Sequence, residues 1–344
     1  MEFITQDLSP QRAQLLARLA AERAHLLLQL EGLDNETLSG RKAIGEWTAA
    51  GVLAHLAYWE AVAADRLFKV ADSRTADIQP LSGDDSLESR NNAMTLQFAG
   101  LPFDEAVAIS QKERRNFLTA LNRLSDDELI RRVRPRPGWR VTPNTWANWP
   151  HRHDAEHASE IAGWRATQPT PDPVLRVIHP ALLRPILALS RREFLALASL
   201  VPAGERENRI LEGSWTLKQM IGHLVDYESL GVVALKAVAA GREPTYKTVI
   251  PDFDEFNNER SAPWAETTWN EVWAHYLATR RALLLIADTL SAGALAQPFT
   301  APWLSITTVC GYLLDMAQHE QEHADSLRRA FDLLPLPRRL GREG

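Results

Sequence analysis

Leucine and alanine recur at i, i+3 and i+4 over residues 10–31 and again over 180–200, with arginine and glutamate between them. That is the signature of an amphipathic helix presenting one apolar stripe to a core. A second helix is predicted from Trp47-Thr48 and again from Trp215-Thr216, with the threonine as N-cap. Thr216 and Gln219 complete a capping box, whereas Gly51 takes that place after Thr48. A third helix is expected over 103–124 and 269–290, and a fourth over each of the phrases HDAEH and HEQEH. Few segments alternate with period two, so strands are not expected. The pattern is all-α, four helices to each half of the chain.

The halves repeat one another. Trp47-Thr48 and Trp215-Thr216 lie 168 residues apart, and each threonine is followed seven residues later by a histidine, His55 or His223. Further on the offset settles at 166: Asn91-Asn92 with Asn257-Asn258, Arg114-Arg115 with Arg280-Arg281, His153 and His157 with His319 and His323. An offset constant over so many landmarks marks a tandem duplication. Residues 169–180 hold four prolines, a composition that ends helices and stiffens linkers. The expected division is 1–168, a linker over 169–179, and 180–344.

Histidine placement carries the chemistry. His153 and His157, like His319 and His323, are four apart, so on a helix both rings stack on one face. His55 shares an apolar stripe with Val52, Leu56 and Trp59, and His223 shares one with Met220, Leu224 and Tyr227. Each therefore points into its bundle, where the fourth helix meets it. A lone histidine on such a face is ordinarily a core residue satisfied by one hydrogen bond. Six of the ten histidines in two matched triads instead favour two metal sites, with His55, His153 and His157 in one and His223, His319 and His323 in the other. Neutral imidazoles suit zinc, nickel or iron, and three of them leave a coordination position open. His151, His275, His25 and His179 fall outside the duplicated set, and Cys310 is half a turn out of phase with His319.

Charge narrows the partners. Forty-four acidic and 38 basic side chains leave a net charge of −6, which gives no footprint for nucleic acid. A single cysteine cannot form an internal disulfide, so a reducing, cytoplasmic setting is expected. Thr289–Leu314 is free of charge but interrupted by Gly293, Gln297, Pro298 and Pro302, so no membrane span is expected.

The phrases WTAAGVLAHLAYWE with HDAEH, and WTLKQMIGHLVDYE with HEQEH, resemble the DinB-like family over essentially the whole chain, as two consecutive domains. The resemblance implies an up-up-down-down-type four-helix bundle in each half and a divalent metal, nickel or zinc in many members, held by the three histidines. It also implies a small-molecule substrate or thiol, since relatives include thiol-dependent S-transferases, isomerases and proteins protecting against reactive small molecules. Self-association in the family suggests that the halves pack as a pseudo-two-fold dimer within a monomeric chain, or that the chain forms a homodimer. Two functional readings stay open, a metal-dependent transferase using a low-molecular-weight thiol and a non-catalytic metal- or ligand-binding protective protein.

Other features have alternatives. Both late phrases also read H-x-x-E-H, the pattern of a metal-dependent hydrolase, but the histidine upstream already fills the third-ligand place. Glu156 and Glu322 are candidates for supporting the metal ligands or acting as base, the alternative being a solvated helix face. Glu60 and Glu228, about 140° out of phase with the first histidine, are expected at the surface or between domains. The asparagine pairs either line the pocket or cap helices. Trp59, Trp146, Trp149 and Trp303 are candidates for an apolar pocket wall. Pro150, three residues before His153, is expected to kink the fourth helix of the first half, whose N-cap and first residue read as Thr142 and Pro143.

Overall fold

Each half is framed by four long helices whose ends follow from local chemistry. In the computed structural model, which describes residues 8–81, 86–170, 172 and 175–333, α1 spans Pro10–Leu28, α2 Ala49–Ala71, α3 Phe103–Asn122 and α4 Trp149–Arg165. Their counterparts are α5 Pro180–Ala198, α6 Leu217–Ala239, α7 Trp269–Ala287 and α8 Val309–Ala330. The fold is all-α. Of the described residues, those from 18 to 169 form one compact unit, and those from 170 onward together with 8–17 form the other. No described helix is long and apolar enough to cross a membrane.

The expectation of no strands is corrected. Antiparallel hairpins precede α2 (β1 Lys42–Ile44, β2 Trp47–Thr48), the short helix Pro143–Ala147 (β3 Val133–Arg136, β4 Trp139–Val141), α6 (β5 Ile210–Glu212, β6 Trp215–Thr216) and α8 (β7 Pro298–Thr300, β8 Ile306–Thr308). Strands of two to four residues are too short to print an alternating pattern. They fix where helices begin. The last strand residue doubles as N-cap: Thr48 Oγ1 accepts the Gly51 N–H at 3.0 Å, Thr216 Oγ1 that of Gln219 at 3.3 Å, and Thr308 Oγ1 that of Gly311 at 2.9 Å. Gly45 and Gly213 occupy matching turns at φ +53°, a conformation that costs other residues strain.

In the first unit α2 packs most extensively on α3 and also on α4, burying Leu53, Leu56, Phe117 and Leu121. In the second, α5 packs on α8 and α6 on α7, burying Phe194, Ile221, Leu283 and Leu313. Gly222 lets the helix Phe253–Glu266 approach α6, because a Cβ there would lie 2.3 Å from the Trp264 ring. The end of the proline-rich segment is packed as well. Arg176 is buried, donates to Asp315 at 2.6 Å and Gln318 at 2.8 Å, and accepts from Thr308 through its carbonyl.

Pro150 does not kink α4. It lies in the first turn, where its missing N–H leaves no bond unmade, and the break falls at Asn148 between Pro143–Ala147 and α4. Thr142 and Pro143 are the N-cap and first residue of that short helix instead.

A layer of buried charge crosses each bundle, one residue from each long helix. Arg23 on α1 donates to Asp154 on α4 at 2.8 and 2.9 Å and to Glu60 on α2 at 3.0 Å; Arg114 on α3 pairs with Asp154 and Glu60, each at 2.5 Å. In the second half Arg280 on α7 donates to Glu228 on α6 at 2.7 Å and to Glu320 on α8 at 3.0 Å. Arg191 on α5 donates to Glu228 at 2.6 Å and pairs with Glu320, which also accepts from Tyr276 at 2.7 Å. Glu60 and Glu228, expected at the surface, are therefore interior residues, each 1% exposed. Two cations neutralise two anions in each layer, the condition for keeping charge out of water.

Candidate metal centres

The caps and hairpins aim three imidazoles at one point in each half. His55 lies seven residues past the Thr48 cap on α2 and meets His153 and His157 on α4; His223 on α6 meets His319 and His323 on α8 in the same way. His55 Nε2 and His157 Nε2 each lie 3.0 Å from His153 Nε2. His223 Nε2 and His323 Nε2 lie 2.7 and 3.1 Å from His319 Nε2. Nitrogens bound to one ion at about 2.0–2.1 Å, at roughly 90–110° to one another, would lie about 3 Å apart. Among the described residues these are the two groups that could hold a metal ion, each of three histidines.

Protonation suits that role. Burial, then the neighbouring imidazoles, pushes His55 down to about 3 and His153 to about 4, and burial with the same neighbours holds His223 and His319 well below 6.5. Neutral rings keep a lone pair for a cation. At the late histidines the other nitrogen is engaged: His157 Nδ1 lies 2.6 Å from Glu160 Oε2, and His323 Nδ1 lies 2.7 Å from Glu212 Oε2. A proton at Nδ1 donated to the carboxylate leaves the Nε2 lone pair facing the triad. In the first half His55 Nδ1 is buried with no hydrogen-bond partner.

These depressed values carry a stability consequence. A histidine with a folded pKa below its unfolded value of about 6.5 lets the unfolded chain take up protons first. The stability it contributes is complete above pH 6.5 and declines as pH falls through that value toward about 4. We expect the melting temperature of metal-free protein to fall steadily between pH 7 and 4; a flat profile between pH 7 and 5 would contradict these assignments.

Aromatic rings wall both triads. Trp47 lies 5.2 Å from His55, and Trp149 lies 6.3 Å from His153 and 5.3 Å from Trp59. In the second half Trp215 lies 4.6 Å from His223, while Tyr227 lies 4.8 Å from His223, 4.9 Å from His319 and 5.5 Å from Phe256. Of the four tryptophans singled out from sequence, Trp59 and Trp149 line the space behind His153, with Leu56 and Pro150. Trp146 instead lies beneath Arg66, and Trp303 stacks on Tyr312. Trp47 and Trp215 are wall residues that the sequence alone did not single out, although their place eight residues ahead of His55 and His223 is duplicated.

Asn91 and Asn257 hold aromatic side chains beside the triads and do not cap their helices. Asn91 accepts from Trp59 Nε1 at 3.1 Å and Asn257 accepts from the Tyr227 hydroxyl at 3.0 Å, while the caps of their helices are Ser86 and Asp252. Glu156 and Glu322 are exposed, and the carboxylates found on histidine Nδ1 atoms are Glu160 and Glu212. His151 is buried beside Asn148, His275 lies against Trp264, and neither joins a triad. Cys310 is buried and outside both groups.

The family model of the DinB superfamily matches the chain twice, over residues 18–161 and 186–326. The chain belongs to the DinB superfamily. Each match contains one complete triad, so this is a tandem DinB protein with one candidate metal centre per copy. Neither the curated proteins nor the solved structures contain a match to it.

Proposed function

We propose that this DinB protein is a metal-dependent transferase that joins a low-molecular-weight thiol to a small apolar electrophile. The observation that carries the reading is the convergence of three imidazoles from two helices, with a wall of aromatic rings beside them. A structural metal site ordinarily takes four protein ligands, whereas three suit a site that also takes a substrate. When bound, a divalent ion lowers the pKa of a thiol so that a nucleophile forms at neutral pH.

The chain's own residues supply the rest. His223, His319 and His323 would hold the ion, and Glu212 keeps the His323 proton on Nδ1. Trp215, Tyr227 and Phe256 offer an apolar surface to the electrophile, with Asn257 fixing the phenol. In this reading Glu322, exposed next to His323 on α8, takes up the thiol proton; Glu156 has the same place in the first half. The thiol sulfur forms the new carbon–sulfur bond while the leaving group departs with its electron pair.

The test is turnover of a panel of thiols and electrophiles by protein loaded with zinc, nickel or iron in turn. We expect multiple turnovers that are lost on chelation and severely reduced in His223→Ala. Turnover that survives metal removal would overturn the proposal, and tight binding of an electrophile or thiol without turnover would establish a sequestering protein instead.

A further inference from the structure

The two centres differ in one feature that the duplication makes visible. At an offset of 168, Glu212 of β5 corresponds to Ile44 of β1; each pairs across its hairpin with the tryptophan beside the first histidine, Trp215 or Trp47. At an offset of 166, Ser326 of α8 corresponds to Glu160 of α4. The carboxylate on the late histidine has therefore changed places. In the second half it comes from the strand, and a serine on the helix supports it. In the first half the strand carries isoleucine and the helix carries the carboxylate.

The consequences for rigidity are unequal. Glu212 is clamped at both oxygens, Oε2 to His323 Nδ1 at 2.7 Å and Oε1 to the Ser326 hydroxyl at 2.6 Å, so hairpin and helix are tied through the ligand. The His323 side chain is 7% exposed and Glu212 33%. Glu160 reaches His157 from one turn along the same helix, with the two side chains 15% and 43% exposed. That pair costs more side-chain freedom to order, sits in more water, and ties α4 to nothing else.

We infer that the centres are ion sites of two grades: a tight one at His223, His319 and His323, set by Glu212, and a weaker, exchangeable one at His55, His153 and His157. The inference rests on the triads being metal sites, as proposed above. Carboxylates behind ligating histidines are worth about 10–100-fold in metal affinity, which sets the expected separation.

The experiment titrates metal-free full-length protein with Zn²⁺ against a chromophoric chelator, with far-UV circular dichroism confirming that each variant is folded. Two classes of one ion each are expected, at least about 10-fold apart, the tighter class missing from His223→Ala and the weaker from His55→Ala. Glu212→Gln should weaken the tight class by about 10–100-fold and leave the weak class unchanged. The exchange Ile44→Glu with Glu160→Ser, which gives the first half the arrangement of the second, should tighten the weak class. Two classes of equal affinity, or a tight class insensitive to Glu212→Gln, would overturn the inference while leaving the metal sites standing. Absence of any uptake would overturn the metal reading beneath it.

Discussion

Arg280→Met should destabilise the protein by about 3–5 kcal/mol, a large share of the stability of an ordinary domain. The Arg280 guanidinium is fully enclosed and serves Glu228 and Glu320 together, with another N–H given to the Leu187 carbonyl. Methionine replaces the side-chain volume but leaves two buried carboxylates with Arg191 as their remaining cation. One carboxylate must then stay charged in a dry setting or take a proton, and either course costs several kcal/mol. Arg114→Met should act the same way on Glu60 and Asp154. The control is the exposed pair Arg123–Asp72, where Arg123→Met should cost less than about 1 kcal/mol. Urea unfolding of the metal-free variants measures all three, and a loss below about 1 kcal/mol in Arg280→Met would show that the layer is not held as described.

His319→Ala should have the largest effect on metal binding at the second centre. His319 Nε2 is the atom that both other imidazoles approach, at 2.7 and 3.1 Å. Its removal leaves two nitrogens that no longer close a face around an ion. Since partners behind a ligand already account for about 10–100-fold in affinity, loss of a direct ligand should exceed that. The same substitution removes one histidine with a depressed pKa, so the metal-free variant should lose less stability between pH 7 and 4 than the parent. A variant that keeps its affinity, or is as acid-sensitive as the parent, would contradict the role given to His319.

Both triads could be read from the chain because each depends on a local regularity. The i, i+4 spacing of His319 and His323 fixes their shared face, and the Trp-Thr start fixes the phase of His223. Duplication then separated these six from the other histidines. The buried charge layer was not legible, although Glu228 and Arg280 both fall at duplicated positions. A helix inside a bundle meets neighbours on more than one face, so a residue about 140° from the metal-facing stripe can still be interior. Whether it is depends on partners such as Arg191 and Arg280, which lie 37 and 52 residues away in sequence. Glu212 was missed for a related reason. Its strand is three residues long, too short to announce itself, and only the fold brings it to His323, 111 residues further on. Pro150 was misread because its effect depends on where the helix begins, and the start at Trp149 turns a breaker into a first-turn residue.

The central claim is that each half of this DinB protein holds one divalent ion on three histidines. Elemental analysis tests it most directly, using protein made without a histidine tag, loaded with zinc or nickel and freed of excess metal by rapid desalting, so that the weaker centre is counted too. The account predicts about two ions per chain, one each in His153→Ala and His319→Ala, and none when both substitutions are combined. A chain that retains no metal, or whose content is unchanged by both substitutions together, would contradict it.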